Sequence, residues 1–264
     1  MMHFTRMLPR LCLLCAMVCL LHGCSDPEYD LSSPEIALNS MQQMIEDGNA
    51  RSLASVIHIP ARDIAFADGV TEASAINDVM QKTADLLGQL HRVSTKLRDR
   101  YPDEIGVEIE TARGAMGAIY LGFLEEPMAR FLADPFAFLR DQRERLATID
   151  LGDGSAAVMW DGEPAFGGIG LAMREVDGEW KFELPIDMPP ISEFRPETRE
   201  EWAVIASMML GFENALNDFE DRLDAGKFGS LADASGEAGR MIGASAIVQG
   251  AIYAFMKQKA AEDS

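Results

Sequence analysis

The amino-acid sequence predicts an α+β fold: a curved antiparallel sheet of about four strands packed with N-terminal helices into a cone-like body, plus long helices that include a C-terminal helical pair. Three observations carry this reading. Apolar residues recur at three- and four-residue steps over 71–100 and again over 198–224, the period of a helix with one buried seam. Between them, from Ala147 to Leu184, the period drops to two. The segments there are punctuated by Gly152-Asp153-Gly154, Asp161-Gly162 and Asp177-Gly178, as strands joined by turns require. The chain is 48% apolar, which is enough to build a core.

The chain opens with Arg6 and Arg10 and no acid, then an almost wholly apolar run at 11–21. A charged start and a short apolar stretch have the layout of an export signal. That run falls well short of the roughly 20 residues a hydrocarbon core demands, so a permanent membrane helix is not expected. Leu21-His22-Gly23-Cys24 resembles the lipobox of bacterial lipoproteins, a Leu three places before a Cys with a small residue just ahead of it; His22 stands where the family has a small or apolar side chain. The resemblance implies removal of residues 1–23 and a diacylglyceryl thioether on Cys24. With Ser25 next, rather than an aspartate, it also implies anchoring at the outer membrane, facing the periplasm or the cell surface. The membrane is then a partner through the lipid on Cys24.

The four cysteines are Cys12, Cys15, Cys19 and Cys24, so processing would leave one. A body without another thiol has no disulfide, no thiolate nucleophile and no cysteine-bearing zinc site. Losing Arg6 and Arg10 with the signal takes the formal charge from −20 to −22. Such a field repels nucleic acid and anionic headgroups, so no nucleic-acid partner is expected.

Residues 24–32 read as a polar, lipidated tether, 33–190 as the α+β domain and 191–264 as a helical hairpin packing on it. Ser33-Pro34-Glu35 has the chemistry of a helix start, with Leu38, Met41 and Ile45 on one face and Gly48 at the end. A short helix at 50–57 is stopped by Pro60. The long helix at 71–100 carries Ile76, Met80, Leu87, Leu90 and Leu97 in its seam and ends at Tyr101-Pro102. Residues 103–146 read as broken helices, the last at 136–146. Strands follow at 148–151, 155–160, 169–176 and 180–184. Thr198 with Glu201 fits a capping box opening a helix whose seam runs Trp202, Ile205, Met209, Phe212, Leu216, Phe219 and Leu223. The last helix, about 231–259, is rich in small residues, which predicts close packing inside the same domain.

Chemistry-bearing patterns are sparse. His58 and His91 stand 33 positions apart with no metal-binding spacing; packing and helix-edge roles are expected. Acid pairs such as Asp150 with Asp153 lack the ligand spacing of a calcium loop, and turn chemistry explains them. Gly167-Gly168-Ile169-Gly170 lacks the helix a dinucleotide fingerprint needs. No catalytic residue, metal or cofactor is predicted. Trp160, Trp180 and Tyr120 are the candidate ligand-binding residues, because indoles on a concave sheet beneath helices suit the wall of a pocket.

The opening at 33–53, a proline-started helix, an acidic-Gly-Asn corner and a short second helix, together with the stretch from Ile149 through Phe182 that carries GDGSAAV and then LAMREVDGEWKFEL, ending at Leu184, is similar to exported lipoprotein members of the nuclear transport factor two-like superfamily. That is the cone-shaped α+β fold also used by ketosteroid isomerases. The resemblance implies a fold with a pocket and transfers no catalytic residue. The expectation is therefore a non-enzymatic, lipid-anchored extracytoplasmic protein that binds a partner protein, such as another envelope protein, or a small apolar ligand. The alternatives are a hydrolase or isomerase using a buried carboxylate in a cone pocket, and a structural envelope spacer.

Overall fold

Side-chain caps start the three long helices of known N-terminal geometry where the sequence places them. The computed structural model describes residues 28–104, 135–165, 170–189 and 191–263. Helix α1 (Pro34–Glu46) begins on Ser33, whose hydroxyl accepts from the Ile36 N–H at 3.3 Å. Helix α2 (Glu72–Arg100) begins on Thr71, which accepts from Ser74 N–H. A short helix α3 (Ala137–Asp141) precedes the sheet. Helix α4 (Arg199–Asp224) begins on Thr198, which accepts from Glu201 N–H, while the Glu201 carboxylate accepts from Glu197 N–H at 2.7 Å. Helix α5 runs over Leu231–Asp263. Each cap gives a partner to an amide that the first turn would leave unpaired.

Six strands form one mixed sheet: β1 (Ile57–His58), β2 (Leu146–Asp150), β3 (Ser155–Trp160), β4 (Glu163–Pro164), β5 (Leu171–Val176) and β6 (Glu179–Glu183). Their order is β1-β6-β5-β3-β2, with β4 folded back on β3. The expected antiparallel meander is β2, β3, β5 and β6. Asp177 and Gly178 both take positive φ in the two-residue turn between β5 and β6, as do Asp161 and Gly162 between β3 and β4. Those values explain why aspartate and glycine occupy these turns. The register sets Phe182, Met173 and Ala156 side by side, and Leu171 beside Val158, on one face of the sheet. That face is the buried one.

Three local expectations shift. The helix expected at 50–57 is a 3-10 turn over Ala50–Val56, and Ile57 instead opens β1, which pairs parallel with β6. The helix expected at 136–146 stops at Asp141, because a 3-10 turn at Arg143–Arg145 follows it and Leu146 already belongs to β2. Arg143 secures that junction by donating to the Leu146 carbonyl at 2.7 Å and to the Glu35 carboxylate. The expected strand at 169–176 is described from Leu171, and Ile169 lies outside the described residues, as does most of 103–146.

Residues 31–264 form one compact unit. Helix α2 is its spine. One end packs Ala75, Ile76 and Val79 against Trp202, and the other packs Val93, Leu97 and Tyr101 against Leu216, Phe219 and Leu223. The two sequence seams therefore pair with each other, α2 and α4 running parallel. Helix α5 returns antiparallel along α4, with Leu231, Ala234 and Ala238 in the same core.

The expectation of close packing along α5 holds over part of its length. A Cβ on Gly211 of α4 would stand 2.6 Å from the Ser245 hydroxyl, so the helices touch there. Gly236, Gly243 and Gly250 of α5 instead face open space. The outer face of α5 carries Ile247, Val248, Ile252 and Phe255, all exposed. Among the described residues, no helix is long and apolar enough to cross a membrane.

Candidate functional site

Four parts of the fold converge on an apolar cavity of about 330 Å³. The sheet supplies its floor through Leu146, Val158, Leu171 and Phe182, one residue from each strand of the meander. Helix α1 and the 3-10 turn after it add Met41 and Leu53, and α2 adds Leu87 and Leu90. The segment leading into α3 closes another side with Phe136. Alternation explains the floor: inward positions on a strand recur every second residue, so strands in this register present one apolar row. The helical walls follow from the three- and four-residue spacing of the same seams that build the core.

Every described residue lining the cavity is apolar. Among the described lining residues no side chain offers a hydrogen-bond partner, and a buried polar group without one loses several kcal/mol relative to water. The described wall therefore offers only apolar contacts. Its size lies at the small end of the roughly 300–1,000 Å³ of ordinary ligand pockets. At its rim, the His91 ring leans on Phe136 with centroids 5.6 Å apart, and Gln42 Nε2 donates to the Arg140 carbonyl, linking α1 to α3.

The sequence-derived candidates stand elsewhere or outside the described residues. Trp160, at the end of β3, is covered by the Arg145 guanidinium 4.1 Å from its ring centroid, and Arg145 in turn pairs with Asp161. Trp180 is buried on β6, where its backbone N–H donates to the Leu31 carbonyl at 2.8 Å and holds the entry of the chain against the sheet. Neither indole is among the residues lining the cavity. Tyr120 and Cys24 lie outside the described residues. The residues that do line the cavity were visible in the sequence only as members of separate apolar faces, with nothing to show that the faces meet.

Buried charge gathers at a second place, between α2, α4 and the segment before α4. Glu72 is fully buried. It accepts from the Arg62 backbone N–H at 2.6 Å, from the Arg62 guanidinium, from Arg195 Nη2 at 3.0 Å and from Trp202 Nε1 at 3.3 Å. Burial opposes the Glu72 charge, but the Arg62 hydrogen bonds and the Arg195 charge outweigh it and hold the carboxyl below its ordinary range. Such a group is a poor general base, because its ionised form is already satisfied. The cluster also clamps the chain: Arg195 donates to the Pro60 carbonyl and pairs with Asp187, and Arg62 donates to the Pro196 carbonyl.

Two further groups complete the electrostatics. Burial pushes the His58 imidazole below its ordinary value, as expected for a half-buried residue in β1. Burial also pushes the Tyr253 phenol well above its ordinary value, leaving a neutral hydroxyl that donates to the Phe194 carbonyl at 2.7 Å. Among the described residues, no group of three or more His, Cys, Asp or Glu side chains is placed to hold a metal ion.

Comparison of the chain with family models, with curated proteins and with solved structures finds no match. The fold and the sites on it define the class: an acidic α+β domain with an apolar cavity between a mixed sheet and its covering helices.

Proposed function

We propose that this protein is a lipid-anchored extracytoplasmic domain that binds a small apolar ligand between its sheet and helices. The observation that carries the reading is the cavity of about 330 Å³ whose described walls are wholly apolar. The cavity opens to solvent, so its apolar wall lacks the packing contacts of an interior and faces water instead, at a cost of roughly 25 cal/mol per Å². An occupant that restores those contacts accounts for it. The anchor rests on the lipobox-like Leu21-His22-Gly23-Cys24 and the export-signal layout before it.

The test is saturable binding of an apolar naphthalene dye to the chain from residue 25 onward, compared with Val158→Trp and Leu171→Trp. One-to-one binding lost in both variants, with circular dichroism unchanged, supports the proposal. Equal dye binding by wild type and variants refutes it.

A partner-protein reading stands second, favoured by the exposed row on α5, where Ile247 is 74% and Phe255 68% exposed. The α2 seam gives it no support, because α4 packs on Ile76 and Leu97, and Leu87 and Leu90 face the cavity. A photo-crosslinker at position 252 that gives one discrete adduct in cells, abolished by Phe255→Lys, supports this second reading. No adduct refutes it. A buried-carboxylate hydrolase or isomerase is the alternative with least support: Glu72 and Glu201, the two buried glutamates among the described residues, do not line the cavity.

A further inference from the structure

We infer that two copies of this chain join edge to edge through β2, paired antiparallel about Ile149 so that their sheets run on into one. The inference stands apart from the apolar-ligand reading and makes no use of the cavity.

The open edge follows from the direction of the β2 amides. Asp161 N–H donates to the Arg145 carbonyl at 2.9 Å and Leu151 N–H to the Ser155 carbonyl at 3.0 Å, one at each end of the β2–β3 pairing. Bonded pairs alternate along an antiparallel ladder, so Ala147 and Ile149 also turn their N–H and C=O towards β3, while Leu146, Thr148 and Asp150 turn theirs away. On that side β2 is the last strand of the sheet. Arg143 provides for Leu146: the Leu146 N–H donates to the Arg143 carbonyl, and the Leu146 carbonyl accepts from Arg143 Nη1 at 2.7 Å. Among the described residues, nothing meets the outward backbone groups of Thr148 and Asp150. Such an edge is a template for another strand unless it is guarded, and lysine and proline, the common guards, are both missing from 146–151.

The same edge is apolar on its outer face. Side chains alternate across the sheet, so Leu146 and Thr148 stand on the face that meets α1, where the Thr148 hydroxyl reaches the Glu35 carboxylate at 3.5 Å. Ala147, Ile149 and Leu151 stand on the opposite face, with Ile149 50% and Leu151 58% exposed.

One register of two such edges satisfies all of these groups together, which argues for a second copy rather than an unrelated strand. Thr148 stands opposite Asp150 of the second copy, and Asp150 opposite its Thr148, so every outward N–H meets an outward C=O. Sliding the copies by one pleat brings in Leu146 or Gly152 instead, whose N–H groups are already committed to the Arg143 carbonyl and the Asp150 carboxylate. In the favoured register Ile149 faces Ile149 of the second copy as a non-hydrogen-bonded pair, the closer kind, with Ala147 opposite Leu151 on either side. Each Asp150 carboxylate stands opposite a Thr148 hydroxyl, and Arg145 comes against the hairpin tip that carries Asp153 of the second copy. Opposite charges therefore meet at the edge of a chain whose formal charge is −20. The contact maps onto itself by a twofold rotation, so it closes at two copies and does not propagate.

The experiment uses the chain from residue 25 onward, which contains the whole compact unit and has no cysteine. Ile149→Cys then carries a single thiol, and mild oxidation should cross-link it into a dimer about tenfold or more faster than Leu151→Cys, whose two thiols the twofold holds beyond disulfide reach. A mixture of Ala147→Cys with Leu151→Cys should cross-link. Sedimentation equilibrium should take the wild type from monomer to dimer as concentration rises. Ile149→Lys and Ile149→Glu set like charges opposite one another, so each alone should stay monomeric, while the two mixed should form a dimer. That rescue separates a lost contact from a lost fold. A wild type that is monomeric at every concentration overturns the inference. So does a dimer that both charged variants keep, which would place the interface on another face such as the outer row of α5. A mixture of the two charged variants that stays monomeric, or equal cross-linking of all the cysteine variants, overturns it as well.

Discussion

Arg195 and Glu72, 123 positions apart in the chain, form a buried ion pair at 3.0 Å that joins the segment before α4 to the first turn of α2. Arg62 closes on the same carboxylate from the other side. One glutamate thus ties three stretches of backbone together. Glu72→Gln removes the charge and leaves two guanidiniums facing a neutral amide. Breaking one partner of a buried pair costs about 3–5 kcal/mol, and a loss in that range by urea denaturation is the expected result. Because the native pKa of Glu72 is depressed, its contribution is fully present above its unfolded value of 4.5 and is lost as pH falls through the lower native value. The wild type should therefore weaken steeply below pH 4.5, and Glu72→Gln less steeply.

His58 should act in the same sense at higher pH. Its native pKa lies below 6.5, so the folded protein favours the neutral ring. The contribution is whole above pH 6.5 and declines as the medium becomes more acidic. Denaturation midpoints measured from pH 7.5 to 5 should fall less in His58→Gln than in wild type.

The glycines of the helical pair should divide by position. Gly211 stands where a side chain would meet Ser245, so Gly211→Leu should force α4 and α5 apart and cost about 1–3 kcal/mol. Gly243 and Gly250 face open space, and alanine there should add about 0.5–1 kcal/mol each by favouring helical backbone. Thermal melts of the three variants provide the check. A loss at Gly243 or Gly250 would show that something packs on that face.

Cys24→Ala should release the protein from membranes, since the lipid on Cys24 is the proposed attachment and no described helix can span a bilayer. Fractionation of cells producing the variant should find it in the soluble pool. Persistence in the membrane pellet would contradict the proposed anchor.

Much of the fold was legible because local chemistry dictated it. Ser33, Thr71 and Thr198 start helices through their own hydroxyls, and Asp177-Gly178 turns the chain because both residues tolerate positive φ. The seams of α2 and α4 were legible as seams, although periodicity alone did not say that each was the other's partner. Strand β1 was hidden by its length of two residues and its parallel pairing with a strand over a hundred residues on. Glu72 was hidden because an acid just after a threonine cap reads as an ordinary exposed first-turn residue; only the approach of Arg62 and Arg195 buries it. The cavity was least legible of all. Met41, Leu87, Leu171 and Phe182 each satisfy the pattern of a core residue, and an unfilled space among such residues leaves no mark on the pattern. The indoles drew attention for their size, yet Trp160 is covered by Arg145 and Trp180 holds Leu31.

The most direct test of the account is Ala165→Leu. Ala165 is buried, lines the cavity and is fixed by its N–H bond to the Val158 carbonyl at 2.9 Å, so a larger side chain there has empty space to enter. Stability and dye binding should be measured on the same sample. A cavity kept for a ligand predicts that the variant becomes more stable, by about 0.5–2 kcal/mol, while binding is lost. A variant that loses stability and binds as well as wild type would contradict the claim that this cavity is the binding site.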